Sequence, residues 1–417
     1  MPQAESHRAR PSGALAPLHH RAFALVWAST LLGNIALWMR DVASGWLMTT
    51  LDPRPGMVAM IQAASYLPVA IFVLPAGVLA DVFDRRSVIV SSQLLLCAVG
   101  ILLGVLTHFG ALHPWGLIAL CLAGGIVAAF AQPAWQAILP EVLPIDELPR
   151  GMALYNLGFN IARVIGPAAA GAIIAASGIV GAYAANVLLF LIGAVVLASW
   201  KHSPARATQQ REPLLSALAT GARYVRDHPD LRRVLIRAPL FFLCFSSYWA
   251  LLPLIAREQL HGSPSYYGAL LGCLGAGAIV GAFVMPWLRA RLSGGTLVRA
   301  GSFVSAATTV LIALTASQTL AAAAAVIAGV AWMTVVTTFP IAAQALLPNW
   351  VRARGMAYYL LAFYGSLSLG SVIWGQVAHV SSLRVALISS AVIGAILAVA
   401  AERLPWPAES VGRQVSS

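Results

Sequence analysis

The feature that most constrains this chain is a series of apolar runs, each long enough to cross a lipid bilayer. A helix needs about 20 apolar residues to span the hydrocarbon core. We therefore predict an all-α polytopic membrane protein with twelve transmembrane helices. The runs lie at roughly 22–50, 57–80, 88–107, 114–138, 151–176, 179–199, 233–256, 264–288, 297–315, 319–346, 355–379 and 383–402.

Composition agrees with a membrane protein and excludes an ordinary soluble domain. Hydrophobic residues make up 59% of the chain and charged residues only 10%, whereas about a quarter of a soluble domain is charged. The net charge of +12 does not indicate a nucleic-acid binder, because the basic residues form short clusters between apolar runs. We expect these clusters to meet lipid headgroups.

The distribution of arginine and lysine predicts the orientation, because cytoplasmic loops of membrane proteins are rich in both. Placing the N-terminus in the cytoplasm leaves only Arg54, Arg257 and Arg384 in the outer loops. We therefore expect an integral protein of a bacterial-type cytoplasmic (inner) membrane, with both termini in the cytoplasm.

One long polar connection divides the chain into two halves. We predict a tail at 1–21, a six-helix bundle at 22–200, a linker at 201–231, a second six-helix bundle at 232–403 and a tail at 404–417. Apolar residues recur at helical spacing from Leu214 to Val225, which predicts an amphipathic helix on the inner leaflet. The halves are related by a repeat, since Arg-Gly-Met-Ala occurs at both 150–153 and 354–357.

A charged hairpin between the second and third runs resembles a motif of the major facilitator superfamily, Gly-x-Leu-Ala-Asp-Arg-x-Gly-Arg-Arg. It departs from the motif at Val82 and Asp84, and the matching residues are Gly77, Leu79, Ala80, Asp81, Arg85 and Arg86. The resemblance implies two parallel six-helix halves that rock around a central cavity. It also implies a cytoplasmic gate, with packing and helix capping as the alternative role of Gly77 and Asp81. The gate candidates are Gly77, Asp81, Arg85, Arg86 and Arg354.

Two further segments resemble the exporter branch of that superfamily. The segment at 216–233 is similar to the linker of the group that includes the enterobactin exporter. In the fifth run, Gly166, Pro167 and Gly171 resemble a glycine-proline motif that marks exporters, although Ala170 stands where a second glycine is common. The resemblance implies a kinked helix packed along the interface between the halves.

Ionisable residues inside a bilayer are costly and therefore point to function. Asp41 is the only acid in the predicted membrane core, and Arg40 and Arg163 are basic candidates beside it. We predict that Asp41 couples transport to protons, with Arg163 as its partner. Arg40 is the alternative partner, although adjacent residues on a helix diverge by about 100°. A permanent structural ion pair is the competing role. Under the coupling hypothesis, Asp41→Asn abolishes proton-driven transport and leaves folding largely intact.

Other polar and aromatic residues in the runs are candidates for a substrate cavity. Their alternative roles are hydrogen bonding to a neighbouring helix, for the amides and hydroxyls, and plain packing, for the aromatic rings. The candidates are Asn34, Gln62, Gln132, Trp135, Gln136, Asn156, Asn160, Trp332, Thr337 and Gln344.

The sequence contains no phosphate-binding Gly-rich motif and no metal-binding helix motif, so we expect neither an enzyme nor a cofactor or metal. The leading hypothesis is a monomeric, proton-coupled exporter of a small amphipathic molecule such as a drug-like compound or a siderophore. The predicted partners are that substrate, protons and the lipid bilayer, with no nucleic acid. The alternatives are uptake by the same fold, and a receptor or assembly factor on a transporter scaffold.

Overall fold

The computed structural model describes residue 13 and residues 15–200, 214–404 and 406–407. The side chains at 74, 77–82, 214–218 and 349 lie outside this description. The predicted gate residues Gly77 and Asp81, most of both tails and the first part of the linker therefore lie outside the described residues.

Helices account for nearly all of the described residues, in agreement with the predicted all-α class. Short 3₁₀ segments lie at Ala16–His19 and Ala401–Arg403, and a π-helical turn at Ile255–Gln259 extends α8. The α-helices are α1 (Arg21–Leu51), α2 (Pro55–Val82), α3 (Arg85–His108), α4 (Pro114–Ala137), α5 (Leu139–Val142), α6 (Leu148–Ala198), α7 (Leu214–Asp227), α8 (Pro229–Leu254), α9 (Pro264–Arg289), α10 (Gly294–Leu314), α11 (Gln318–Ala345), α12 (Asn349–Val380) and α13 (Leu383–Ala400).

Short polar residues set where several helices begin. A serine or aspartate oxygen at the N-cap accepts a hydrogen bond from a backbone N–H of the first turn, which would otherwise lack a partner. Asp84 caps α3 in this way by accepting from the Ser87 N–H at 2.9 Å. The equivalent serine caps are Ser263 for α9, Ser293 for α10, Ser317 for α11 and Ser382 for α13.

Eleven helices in the described part are long and apolar enough to cross a membrane. One of them, α6, has 51 residues and would be about 77 Å long if straight, more than twice the thickness of a bilayer core. It is broken at Gly178, whose φ of 76° lies in the left-handed region that glycine adopts without steric cost. The break coincides with the predicted boundary between the fifth and sixth runs.

We call helices α1–α6 the first group and helices α8–α13 the second. Between these groups α2 packs against α12 and α6 against α9. Helix α7 joins the second group. Tyr224 Oη donates a 3.2 Å hydrogen bond to the carbonyl of Leu346, the residue after α11, and α7 packs along α12.

The two groups meet closely at one end of the molecule, which we call the Asp52 end because it carries the α1–α2 loop. There Arg257 Nη1 donates to Thr49 Oγ1 at 2.9 Å and Thr50 Oγ1 at 2.7 Å. The Trp46 and Tyr267 rings stack with their centroids 6.0 Å apart. The opposite end carries α7, and we call it the α7 end.

Candidate functional site

Asp41 forms an ion pair with its neighbour Arg40. Arg40 Nη2 lies 2.7 Å and Nε 3.1 Å from Asp41 Oδ1. The expectation that adjacent residues point too far apart to pair is wrong here, because the arginine side chain is long enough to fold back to the carboxylate. The Arg40 side chain is 3% exposed and that of Asp41 38%, so only the acid reaches the space outside the first group.

Arg40 itself lies inside the first helix group. A Cβ added at Gly124 of α4 would overlap Arg40 Nη1, so this glycine makes room for the guanidinium. Neighbouring hydrogen bonds tie α1 to α6, since Ser44 Oγ lies 3.1 Å from Tyr183 Oη and Asn186 Nδ2 donates to the Ala36 carbonyl at 2.6 Å. These surroundings fix Arg40 in place.

Arg163 is equally buried, and no acidic side chain pairs with it among the described residues. Its side chain is 6% exposed, and no hydrogen bond or ion pair joins it to Asp41 within the described residues. Its guanidinium carbon lies 5.6 Å from the centre of the Trp249 ring of α8, and Trp249 packs 6.3 Å from Trp38 of α1. The predicted pairing of Arg163 with Asp41 is therefore absent, and the contact is a cation–π contact with the second group.

Tyr66 of α2 lies between the two charged sites. It is close enough to both Asp41 and Arg163 to interact electrostatically with each. Its ring packs 5.8 Å from that of Tyr364 of α12, and Tyr364 Oη accepts a long, 3.5 Å hydrogen bond from Gln132 Nε2. The centre of the molecule thus combines a carboxylate, an arginine, two tyrosines and an amide from both groups.

Two asparagines lie on the same face of α6 as Arg163. Asn156, Asn160 and Arg163 are four and then three residues apart, so they share one helix face. Asn156 is exposed, Asn160 half-buried and Arg163 buried. Trp249 of the second group lies against Arg163 at the end of this face. We call the region along the face, between the two groups, the central cleft.

A family model described as a transmembrane secretion effector matches residues 12–417. The chain belongs to this family. It is a member of the major facilitator superfamily, as the hairpin motif predicts, and its relatives named below are transporters.

Two relatives show how far the similarity extends. The staphyloferrin A transporter of Staphylococcus aureus is 25% identical over 62% of this chain and 66% of its own length. Macrolide efflux protein A of Streptococcus pyogenes is 22% identical over 63% of this chain and 65% of its own length. The similarity spans just under two thirds of these relatives. The crystal structure of the nucleoside transporter NupG, 11% identical, covers 92% of this chain and 98% of its own with a TM-score of 0.75, which shows a common fold.

The predicted cavity residues of this major facilitator protein occupy several different environments. Asn34 and Asn160 donate to backbone carbonyls of their own helices, those of Thr30 and Asn156. Thr337 bonds the Met333 carbonyl and accepts from Arg289. Gln136, Asn156 and Gln344 are exposed, whereas Gln62 and Gln132 lie half-buried near the centre.

The two tryptophans predicted to line the cavity pack within single groups. Trp332 is 6% exposed and touches an aromatic cluster of the second group, with Phe245 stacked at 5.4 Å and Phe242 edge-on at 5.5 Å. Trp135 packs against a separate core of the first group around Phe23 and Ile138. The sequence showed that these residues lie in apolar runs but not which way they face.

Two arginines of the predicted gate, Arg85 and Arg86, make hydrogen bonds within the first group. Arg85 Nη1 donates to Glu141 Oε1 at 2.6 Å and to the Ala137 carbonyl at 2.9 Å. Arg86 donates to the carbonyls of Leu197 and Ala198. Both residues thus fasten the α2–α3 turn to the ends of α4 and α6. Arg354 of α12 lies beside Gly221 of α7.

The exporter-type motif lies where the groups meet. A Cβ added at Gly166 would stand 2.6 Å from Trp38 Cβ of α1, and one at Gly171 would stand 2.6 Å from the Pro264 carbonyl oxygen of α9. On α9, a Cβ at Gly268 would overlap the Pro167 carbonyl. The small residues therefore allow the backbones of α6 and α9 to approach closely.

Sequence reasoning missed Tyr66 and Tyr364 as site residues. Tyrosine is common at the membrane interface, where its hydroxyl meets water. Both residues lie well inside their apolar runs, at 57–80 and 355–379. Their depth in the runs was the available signal. Among the described residues, no group of three or more His, Cys, Asp or Glu side chains could hold a metal ion.

Proposed function

We propose that this protein is a proton-coupled exporter of small amphipathic molecules that works by alternating access. Its relatives are named as a siderophore transporter and a macrolide efflux protein, and both cargo types suit an exporter of this fold. The two helix groups act as two parallel six-helix halves around the central cleft.

The proposed topology has twelve crossings. The break at Gly178 divides α6 into two segments that each have the length of one crossing. The scarcity of arginine in the loops at the Asp52 end supports a cytoplasmic location for the α7 end and both termini, in a bacterial-type inner membrane.

The observation that carries the coupling proposal is the position of Asp41. Its carboxylate is held by Arg40, yet its side chain is 38% exposed and lies within electrostatic range of Tyr66 and Tyr267, one from each group. A proton that binds this carboxylate removes its charge from the boundary between the groups. Arg40 stays fixed in the first group. The loss of charge therefore changes the electrostatic interaction between Asp41 and the residues of the second group that face it.

The test uses the full-length protein in liposomes and a fluorescent neutral amphiphile, N-phenyl-1-naphthylamine. An imposed pH gradient should drive the wild-type protein to move the dye. Asp41→Asn should abolish this movement. The control is Arg40→Gln with Asp41→Asn, which removes both charges and so avoids an uncompensated buried arginine.

The double variant decides between coupling and a structural ion pair. If Asp41 is the coupling site, the folded double variant still cannot use the gradient. Wild-type rates in the double variant would show that the pair is only structural. Dye movement with the opposite dependence on the gradient would indicate uptake, and no movement by the wild-type protein would contradict transport of this class of molecule.

A further inference from the structure

Arg163 is a buried cation whose surroundings leave hydrogen-bond donors unused. Arg163 Nε and Trp249 Nε1 are buried and have no acceptor within the described residues. Gln62 Nε2 is in the same situation, and Gln62 lies one helical turn before Tyr66, which is near Arg163. A buried donor without an acceptor calls for an explanation, and a bound ligand, ion or water is one. Arg40 Nη1 is also without an acceptor within the described residues, but the other donors of that guanidinium bind Asp41.

The chemistry of these groups is one-sided. Arg163, Trp249 and Gln62 each have an unused donor, Arg163 adds a positive charge, and no described acid pairs with the arginine. A guanidinium matches the planar oxygens of a carboxylate, sulfonate or phosphate, and such charge-assisted hydrogen bonds are about twice as strong as neutral ones. An oxyanion would suit both the charge and the donors of these residues.

Aromatic rings from both groups lie in the region around Arg163. The rings of Trp249 and Trp38 lie 6.3 Å apart, and those of Tyr66 and Tyr364 lie 5.8 Å apart. Aromatic side chains bind planar ligands through broad contact surfaces. Asn156 and Asn160 share the α6 face of Arg163, and the residues on this face are more exposed towards the α7 end.

We propose that Arg163, Trp249 and Gln62 form an anion subsite of the central cleft, and that the preferred cargo is an aromatic or otherwise planar amphiphile with an oxyanion group. This inference rests on the proposed export function and narrows its substrate class. Asp41 and Arg163 then have separate tasks, the first for the proton and the second for the anionic part of the cargo.

A matched pair of fluorescent ligands tests the subsite. The sulfonate 1-anilinonaphthalene-8-sulfonate and the neutral N-phenyl-1-naphthylamine share one aromatic body. With full-length protein in lipid nanodiscs, and empty nanodiscs subtracted, quenching of tryptophan fluorescence should show at least tenfold tighter binding of the sulfonate. Arg163→Gln should weaken sulfonate binding at least tenfold and change binding of the neutral dye less than twofold, whereas Arg163→Lys should retain part of the preference.

Arg257→Gln is the matched control. Arg257 also lies over a tryptophan, 5.7 Å from the Trp46 ring, but Thr49 and Thr50 already accept its hydrogen bonds. This variant should keep the sulfonate preference. The proposal would be overturned if the wild-type protein bound the two dyes equally or did not bind the sulfonate. It would also be overturned if Arg163→Gln kept the sulfonate preference, or if Arg257→Gln lost as much of it as Arg163→Gln.

The binding measurement is independent of the transport proposal because it uses no gradient. Proton-driven movement of the neutral dye without a sulfonate preference would disprove the anion subsite and leave export intact. A sulfonate preference that depends on Arg163, without any pH-driven movement, would support the subsite and disprove coupled export.

Discussion

Arg40 and Arg163 are buried to a similar degree, but their surroundings differ. The first is 3% exposed and the second 6%. Arg40 lies within the first helix group, against Gly124 and beside its own carboxylate. Arg163 faces the second group and lies over an aromatic ring. Contacts within a group persist when the groups move, whereas contacts between groups must change. The Arg40 guanidinium is therefore suited to hold Asp41 in a fixed position, and the Arg163 region is suited to bind a ligand.

The largest expected effect tests this contrast through stability. Asp41→Asn leaves Arg40 buried without its anion, which should lower the free energy of unfolding by about 3 kcal/mol. This replaces the expectation from sequence that folding stays largely intact. Arg163→Gln removes a buried positive charge that no described anion pairs with. The thermal unfolding temperature should therefore stay unchanged or rise. Thermal unfolding in lipid nanodiscs measures both, and Arg40→Gln with Asp41→Asn should recover most of the loss. Equal destabilisation by Asp41→Asn and Arg163→Gln would contradict the distinction.

A second prediction concerns the space that Gly124 leaves for Arg40. In Gly124→Ala the new Cβ overlaps Arg40 Nη1 and comes within 3.2 Å of its guanidinium carbon, so the ion pair must shift, at a cost of about 1–3 kcal/mol. Gly116→Ala is the control in the same helix, because its Cβ meets only Leu112 Cδ1 at 3.6 Å. The same unfolding measurement applies. A loss no larger than in the control would show that Arg40 relocates freely.

A third prediction tests the contact beside the Arg163 region. Gly268→Ala places a Cβ against the Pro167 carbonyl and 3.0 Å from Gly171 Cα, which should push α9 from α6 and open the Asp52 end. A cysteine introduced by Thr49→Cys, at a position 2% exposed, should then react several times faster with a membrane-impermeant maleimide.

The control for this contact is one helical turn away. Gly272→Ala meets the Val164 carbonyl at 3.8 Å and Ala168 Cβ at 3.9 Å, which are ordinary contacts. Its labelling rate should match that of the parent. Identical rates in the two glycine variants would mean that the close approach of α6 and α9 does not control this end.

The smallest effect is expected at a similar pair placed outside the membrane. Asp52 accepts hydrogen bonds from Arg54, and this holds the pKa of the Asp52 carboxyl below its ordinary value of 3.8. A carboxyl group whose pKa is lowered by folding stabilises the folded state at pH values above its ordinary pKa. This stabilisation disappears as the pH falls through the pKa of the folded state. Asp52→Asn should thus lower the unfolding temperature slightly at pH 7 and not at all near pH 2. If Asp52→Asn destabilised the protein as much as Asp41→Asn, burial would not explain why the two ion pairs contribute differently to stability.

The sequence could predict the charged residues of the site but not their partners. Asp41, Arg40 and Arg163 were identified because charge inside a long apolar run is visible in the sequence. Their partners were not, because Arg40 reaches Asp41 through its own rotamer and Arg163 turns towards Trp249. Trp332 and Trp135 show the same limit, since depth in a run does not reveal whether a ring faces the core of one group or the cleft.

The sequence by itself determined that the chain is a helical membrane protein of the major facilitator superfamily, roughly where its long helices lie, and that charge lies inside it. These properties depend on neighbours along the chain: hydropathy over about 20 residues, capping side chains and short motifs. Only the tertiary structure decided which buried arginine has an acid and which faces the other group. Such pairings depend on the rotation of each helix and on residues more than 80 positions apart, such as Arg163 and Trp249, and no local pattern encodes them.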